Sequence, residues 1–280
     1  MGTPWDRAAE GYLAEWVPRF VPYHLDLVRE MAMRPGERVL VTSAGPGAEV
    51  LAVARVVGDA GTVRATDKSE EMVRICREQM DRARLATPIE CAVADASDPQ
   101  GGPWDAVLCA FGLWQIDSRT DALRAWAGAL APAGKVGLIT WGPSDPDEPF
   151  ELLAASLHDL EPELAIPGAH VHAHRDPMAA MFDEAGLVMV RHTVVRHTLT
   201  FPSADTFVRA MREACTWRRI WEELGDARMQ RVAARFYDKV GGPGAPLSFH
   251  PPATIAIAAI PGAEVELQHR PSVRVPAARS

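Results

Sequence analysis

Apolar positions along the chain follow two rhythms that take turns. Val39-Leu40-Val41-Thr42 is an apolar run of strand length that passes without a spacer into Ser43-Ala44-Gly45-Pro46-Gly47. Beyond it the period becomes helical, with Val50, Leu51, Val53, Ala54 and Val57 on the apolar side. The alternation continues with a strand at Thr62 to Thr66 and a helix at Ser69 to Arg84. In that helix Ser69 is the N-cap, and Met72, Val73, Ile75, Cys76 and Met80 form the buried side. Strands at Ile89 to Ala94 and Ala106 to Ala110, a helix at Arg119 to Leu130 and a strand at Lys135 to Trp141 follow. Strands separated by such helices require a parallel sheet covered on both faces, and ligands of such sheets bind at the carboxyl ends of the strands.

The flanking segments break this rhythm. Residues 1–34 read as a helical lid rich in aromatics, with Pro18 and Pro22 ending a first helix and a second expected from Tyr23 to Met33. Residues 35–142 are the α/β core, 143–176 a Pro-rich insertion with a short helical pattern at Phe150 to Leu160, and 177–200 a return to the core through a helix and a strand from Leu187 to Leu199. Residues 201–246 carry two cap helices, Ala204 to Leu224 and Ala227 to Lys239, and 247–280 hold a last strand at Thr254 to Ile260 and a tail. The fold class expected is α/β: a doubly wound, mostly parallel, seven-stranded sheet with helical cap insertions.

Composition narrows the partners. A net charge of -8 over 280 residues argues against a nucleic-acid surface, which carries a basic stripe. The 4 cysteines lack metal-ligand spacing and fit buried free thiols in a reducing compartment. No early segment reads as a signal peptide and no apolar run is long enough for a membrane span. A cytoplasmic monomer or homodimer acting on a small molecule, without metal, is expected.

Candidate chemistry centres on the first strand-to-helix turn. Gly45 and Gly47 remove Cβ atoms that would hold a ligand away from the backbone, and the helix behind them offers unpaired N–H groups. Asp67, at the end of the second strand, lies where a nucleotide-binding unit places the carboxylate that accepts from both ribose hydroxyls.

Taken together, Gly45-Pro46-Gly47, Asp67 with Ser69-Glu70-Glu71-Met72 behind it, Ala94-Asp95-Ala96, Phe111-Gly112-Leu113 and Leu130-Ala131-Pro132-Ala133-Gly134-Lys135-Val136 stand in an order that resembles the class I S-adenosylmethionine-dependent methyltransferases. Within them the chain is similar to the ubiquinone- and menaquinone-biosynthesis subgroup, which also supplies natural-product methyltransferases. The resemblance implies a Rossmann-like core and S-adenosylmethionine as cofactor. It implies that Ser43, Ala44, Gly45 and Gly47 run along the methionine and ribose portion and that Asp67 holds the ribose. Asp95 and Ala96 would take the adenine edge, Lys68 and Met72 would border the ring, and Ala110 and Phe111 would lie beside the sulfonium. Two positions depart from the family pattern: its acidic residue at the end of the first strand is Val41 here, and the first loop glycine is Ser43.

For the acceptor side the residues offer candidates only. Histidines able to serve as general base are His24 in the lid, His158 after the fifth strand, and His174 of the alternating His170, His172, His174 run, which on a strand would share one face. Tyr12, Tyr23, Trp114, Met211 and Trp217 are candidates for an apolar or aromatic substrate pocket, although Met211 and Trp217 do not fall on one stripe of a continuous helix. The expected activity is methyl transfer to oxygen of an aromatic or polyketide-like acceptor. The alternatives are another reaction on this fold, such as a cyclisation, and a non-catalytic binding or regulatory subunit.

Overall fold

The computed structural model describes residues 3–143, 145–164 and 174–263. Its strands are β1 (Arg38–Thr42), β2 (Thr62–Asp67), β3 (Ile89–Val93), β4 (Trp104–Ala110), β5 (Leu130–Trp141), β6 (Val188–Arg196), β7 (Leu199–Phe201), β8 (Leu247–Phe249) and β9 (Pro252–Ala259). Seven of them form one sheet in the order β3-β2-β1-β4-β5-β9-β6. Only β9 runs against its neighbours, pairing antiparallel with β5 and β6, so the expected mostly parallel, seven-stranded, Rossmann-like α/β sheet is present.

The helices are α1 (Pro4–Glu15), α2 (Val17–Glu30), α3 (Ala48–Val57), α4 (Glu70–Ala83), α5 (Arg119–Gly128), α6 (Pro149–Leu160), α7 (Arg175–Glu184), α8 (Ala204–Arg212), α9 (Cys215–Leu224) and α10 (Asp226–Val240). Side-chain alternation along the strands builds two cores. Val39, Val41, Val63, Ala65, Ala106 and Leu108 pack with the buried faces of α2 and α3, while Leu40, Val107, Val136 and Leu138 pack with Trp126, Met178 and Phe182 from α5 and α7. The caps α8 and α10 join the first core through Phe207 and Phe236. Among the described residues no helix is long and apolar enough to cross a membrane.

The structure corrects three expectations. The N-terminal break falls at Trp16, and α2 runs straight through Pro22. Pro18 lies in the first turn, where its missing N–H is not needed; the loss at Pro22 is offset by burying Phe20, Tyr23, Leu27 and Val28 along one face. The strand expected from Leu187 to Leu199 is two: β6 ends at Arg196, and β7 leaves the main sheet to pair with β8. The cap helix expected from Ala204 to Leu224 breaks after Arg212 into α8 and α9, and the break lets Met211 and Trp217, which could not share a stripe of one helix, both line the same cavity.

Candidate active site

The turn after β1 is built on left-handed backbone: Ser43, Gly45 and Gly47 have φ of 52°, 51° and 91°. Gly47 caps α3, and a Cβ placed on it would lie 2.7 Å from Cys76 Sγ, so only glycine fits there. Ser43 adopts the same region with a side chain, at a cost of about 1 kcal/mol. The turn is closed by Gly47 N donating to Ala44 O at 3.0 Å and Ala44 N to Thr66 O at 2.9 Å.

Asp67 ties this turn to the next helix. Gly45 N donates to its Oδ2 and Ser69 N to its Oδ1, each at 2.9 Å, so the carboxylate is fixed in plane with its remaining lone pairs available to a ligand. Burial pushes its carboxyl above the ordinary carboxylate value, against the lowering effect of those two hydrogen bonds. The lid reaches the same place: Ser69 Oγ and Glu71 N donate to Asp6 Oδ1 of α1. At the end of β3, Asp95 accepts from Ser97 N at 2.9 Å and Ser97 Oγ at 2.7 Å, and Lys68 Nζ lies 3.5 Å from its other oxygen. Those Ser97 hydrogen bonds hold the Asp95 carboxyl below its ordinary value.

These ends of β1 to β4 open onto a cavity of about 770 Å³. Ser43, Gly45, Asp67, Lys68, Met72, Asp95, Ala96, Ala110 and Phe111 all line it. Ala44 and Gly47 do not; they are the backbone beneath it, with Ala44 4% exposed. Its other half is aromatic. Tyr12, Trp16, Phe20, Trp114, Trp141 and Phe150 line it together with Met211 and Trp217 from the cap. Phe111, held at φ 54° directly after β4, joins the aromatic wall with its ring 4.4 Å from Trp141 and 5.7 Å from Phe20. A gap that size suits a nucleoside-sized ligand and a second, flat molecule side by side.

Of the acceptor-side candidates, Tyr12, Trp114, Met211 and Trp217 reach the cavity and Tyr23 does not. Tyr23 is buried, and its hydroxyl donates to Pro251 O at 2.7 Å, fixing the segment that precedes β9. None of the three histidines expected as bases lines the cavity. His24 faces α3, where its Nδ1 lies 3.0 Å from Oε2 of the buried Glu49. His158 is exposed on α6 and His174 is the exposed N-cap of α7, both outside the cavity lining. His170 and His172 lie outside the described residues. The polar residues that also line the cavity include Glu151, Cys215, Asp117 and Asp121, none of which the sequence singled out as a site residue. Trp16 and Phe20 repeat at four-residue spacing behind Tyr12, a signal in the lid sequence that marks one helical face; Trp141 and Phe150 had none, because chain folding alone brings them there.

Residues 39–134 match the family described as a methyltransferase domain. Nocamycin O-methyltransferase of Saccharothrix syringae is 29% identical over 250 residues, spanning 82% of this chain and 86% of that protein. A ubiquinone/menaquinone biosynthesis C-methyltransferase, UbiE, of Ralstonia pickettii (strain 12J) is 32% identical over 112 residues, or 40% of this chain, which thus spans less than half (46%) of that relative. Among solved structures, the [4+2]-cyclase SpnF superposes with a TM-score of 0.55 at 14% identity, over 86% of this chain and 80% of that one, a likeness of fold.

Proposed function

We propose that this chain is a class I S-adenosylmethionine-dependent methyltransferase that transfers the cofactor's methyl group to an oxygen of a small aromatic or polyketide-like acceptor, a reading supported by the match of residues 39–134 to a methyltransferase domain. The single observation that carries this reading is one cavity at the strand ends lined both by Asp67, with its two oriented oxygens, and by an aromatic wall that includes Trp16, Phe20, Trp141 and Trp217. The similarity to a natural-product O-methyltransferase over most of both chains supports the acceptor class and the oxygen.

The fit of the cofactor rests on residues present. Asp67 offers two fixed carboxylate oxygens to a ribose diol, the Gly45 turn admits close approach of a ligand to the backbone, and Asp95 lies where an exocyclic amine would be accepted. Val41 is fully buried in the sheet core, so position 41 brings no carboxylate to the cavity; Ser43 lines the cavity there, with its hydroxyl hydrogen-bonded to the Cys109 thiol. When bound, S-adenosylmethionine supplies an electrophilic methyl on a sulfonium. The chain's task is then to align an acceptor oxygen behind that carbon, for which the aromatic walls set the plane and the lid and cap exclude water. An acceptor that is already ionised needs no base; for one that is not, a carboxylate lining the cavity would remove the hydroxyl proton, and Glu151 of α6, next in sequence to Phe150, is the candidate.

Incubating the protein with S-adenosylmethionine and a panel of phenols and enolic polyketides, followed by mass spectrometry, tests the reading. A methylated product with stoichiometric S-adenosylhomocysteine supports it. An acceptor that is consumed without gaining a methyl group would favour the cyclisation reading, which the fold shared with SpnF keeps in view.

A further inference from the structure

Two of the four cysteines meet outside the cavity, directly beneath the cofactor turn. Cys76 of α4 and Cys91 of β3 are free thiols with their sulfurs 3.5 Å apart. Cys76 is 1% exposed, whereas Cys91 is half-buried, so a small solute reaches the pair from the Cys91 side. Arg77 lies across Cys91, donating to its carbonyl at 2.7 Å and 3.1 Å, and brings a guanidinium to the neighbourhood of that sulfur. The environment separates the two thiols: the hydrogen bond from Cys76, with Arg77 assisting, holds the Cys91 thiol below its ordinary value, and the same contact together with burial pushes the Cys76 thiol up.

The pair occupies a sensitive place. A Cβ on Gly47 would lie 2.7 Å from Cys76 Sγ and 2.9 Å from Met80 Cε, which means that the Cys76 sulfur is the packing surface under the glycine turn. α4 also carries Met72 and is capped by Ser69, whose N–H holds Asp67; β3 leads into Ala94, Asp95 and Ala96. The two elements that flank the adenine end of the cavity are the two that a bond between these sulfurs would join.

We propose that Cys76 and Cys91 form an oxidisable dithiol whose disulfide weakens cofactor binding, with a hydroperoxide as the oxidant. The Cys91 thiolate attacks one oxygen of hydrogen peroxide, the O–O bond breaks, and the departing hydroxide takes a proton and leaves as water, giving a sulfenic acid on Cys91. The Cys76 sulfur then displaces the sulfenic hydroxyl, which leaves as a second water with the Cys76 proton. Two thiols and one peroxide become one disulfide and two waters. Bonding requires the sulfurs to close from 3.5 Å to about 2.05 Å, and the shift of Cys76 Sγ in that closure disturbs its packing under the Gly47 turn. The part concerning affinity rests on the cofactor reading of the cavity; the chemistry of the pair does not.

The test uses the full chain, reduced and then treated with hydrogen peroxide, mapped by non-reducing peptide mass spectrometry, and titrated with S-adenosylhomocysteine before oxidation, after it, and after dithiothreitol. The result expected is a linked Cys76–Cys91 peptide, loss of two of the 4 free thiols, and a dissociation constant raised about fivefold and restored by the reductant. A Cys91→Ser variant should bind as the reduced wild type does and ignore peroxide. Absence of the linked peptide overturns the proposal, and so does a linked peptide with unchanged affinity. A reduced wild type that fails to bind the ligand refutes the cofactor reading instead, with the peptide map still deciding whether the pair is oxidisable.

Discussion

Asp67 is the residue on which the polar half of the cavity depends, because its two oxygens are already oriented by Gly45 N and Ser69 N before a ligand arrives. Ribose hydroxyls donate to the ionised carboxylate, so a bound cofactor lowers its proton affinity, and linkage makes the affinity for cofactor rise with pH until the free protein's carboxyl is ionised. Because burial has raised that carboxyl above 3.8, affinity should fall on acidification sooner than an ordinary aspartate would allow. Titrations across the acid range should show this limb in the wild type and a flat profile in Asp67→Asn. His24 calls for the opposite expectation. His24→Leu removes the imidazole that packs 3.0 Å from the buried Glu49 and should cost about 1–3 kcal/mol in urea unfolding while leaving turnover per folded molecule intact. A loss of turnover at unchanged stability would restore His24 as a catalytic group. Gly47→Ala meets both a φ of 91° and the Cys76 sulfur, and about 2–4 kcal/mol of stability should disappear.

Among the elements, α1 is coupled to the site by one carboxylate. Asp6 accepts from Ser69 Oγ, Glu71 N and Thr3, capping α4 from outside its own helix; burial acts to raise the Asp6 carboxyl, and these hydrogen bonds outweigh it to leave it lowered. A carboxyl lowered by folding contributes stability above its unfolded value and loses it as pH falls, so the lid should loosen in acid. Asp6→Ala should remove about 1–2 kcal/mol and speed amide exchange in α1 more than in β1 or β4. The core elements were legible in the sequence because their signals are local: the strand-length apolar runs, Ser69 as a cap and the glycine turn each need only a few neighbouring residues. The elements misjudged were those settled by distant contacts. Pro22 stays helical because one face of α2 is buried against the sheet, and β7 separates from β6 because it finds β8 some fifty residues away in sequence.

At the scale of the whole molecule, the cofactor half of the cavity is drawn from consecutive strand ends and could be read along the chain, whereas the acceptor half is assembled from α1, α2, β5, α6, α8 and α9 and could not. Tyr12, Trp114, Met211 and Trp217 were recognisable as large apolar side chains beside the core; Trp141, Phe150 and Glu151 become neighbours only when the insertion and cap close over the sheet. Histidine was favoured as a base for its chemistry, yet packing places His158 and His174 in solvent. Because Trp217 reaches the cavity from the cap, Trp217→Ala should raise KM for an aromatic acceptor about tenfold while leaving the affinity for S-adenosylmethionine within about twofold of wild type. Calorimetric titration of the wild type and of Asp67→Ala with S-adenosylmethionine decides whether the strand ends around Asp67 hold the cofactor. Saturable binding by the wild type at a micromolar dissociation constant and at least about tenfold weaker binding by a variant that remains folded are expected. Absence of binding by the wild type, or equal binding by the two proteins, would contradict this placement of the cofactor.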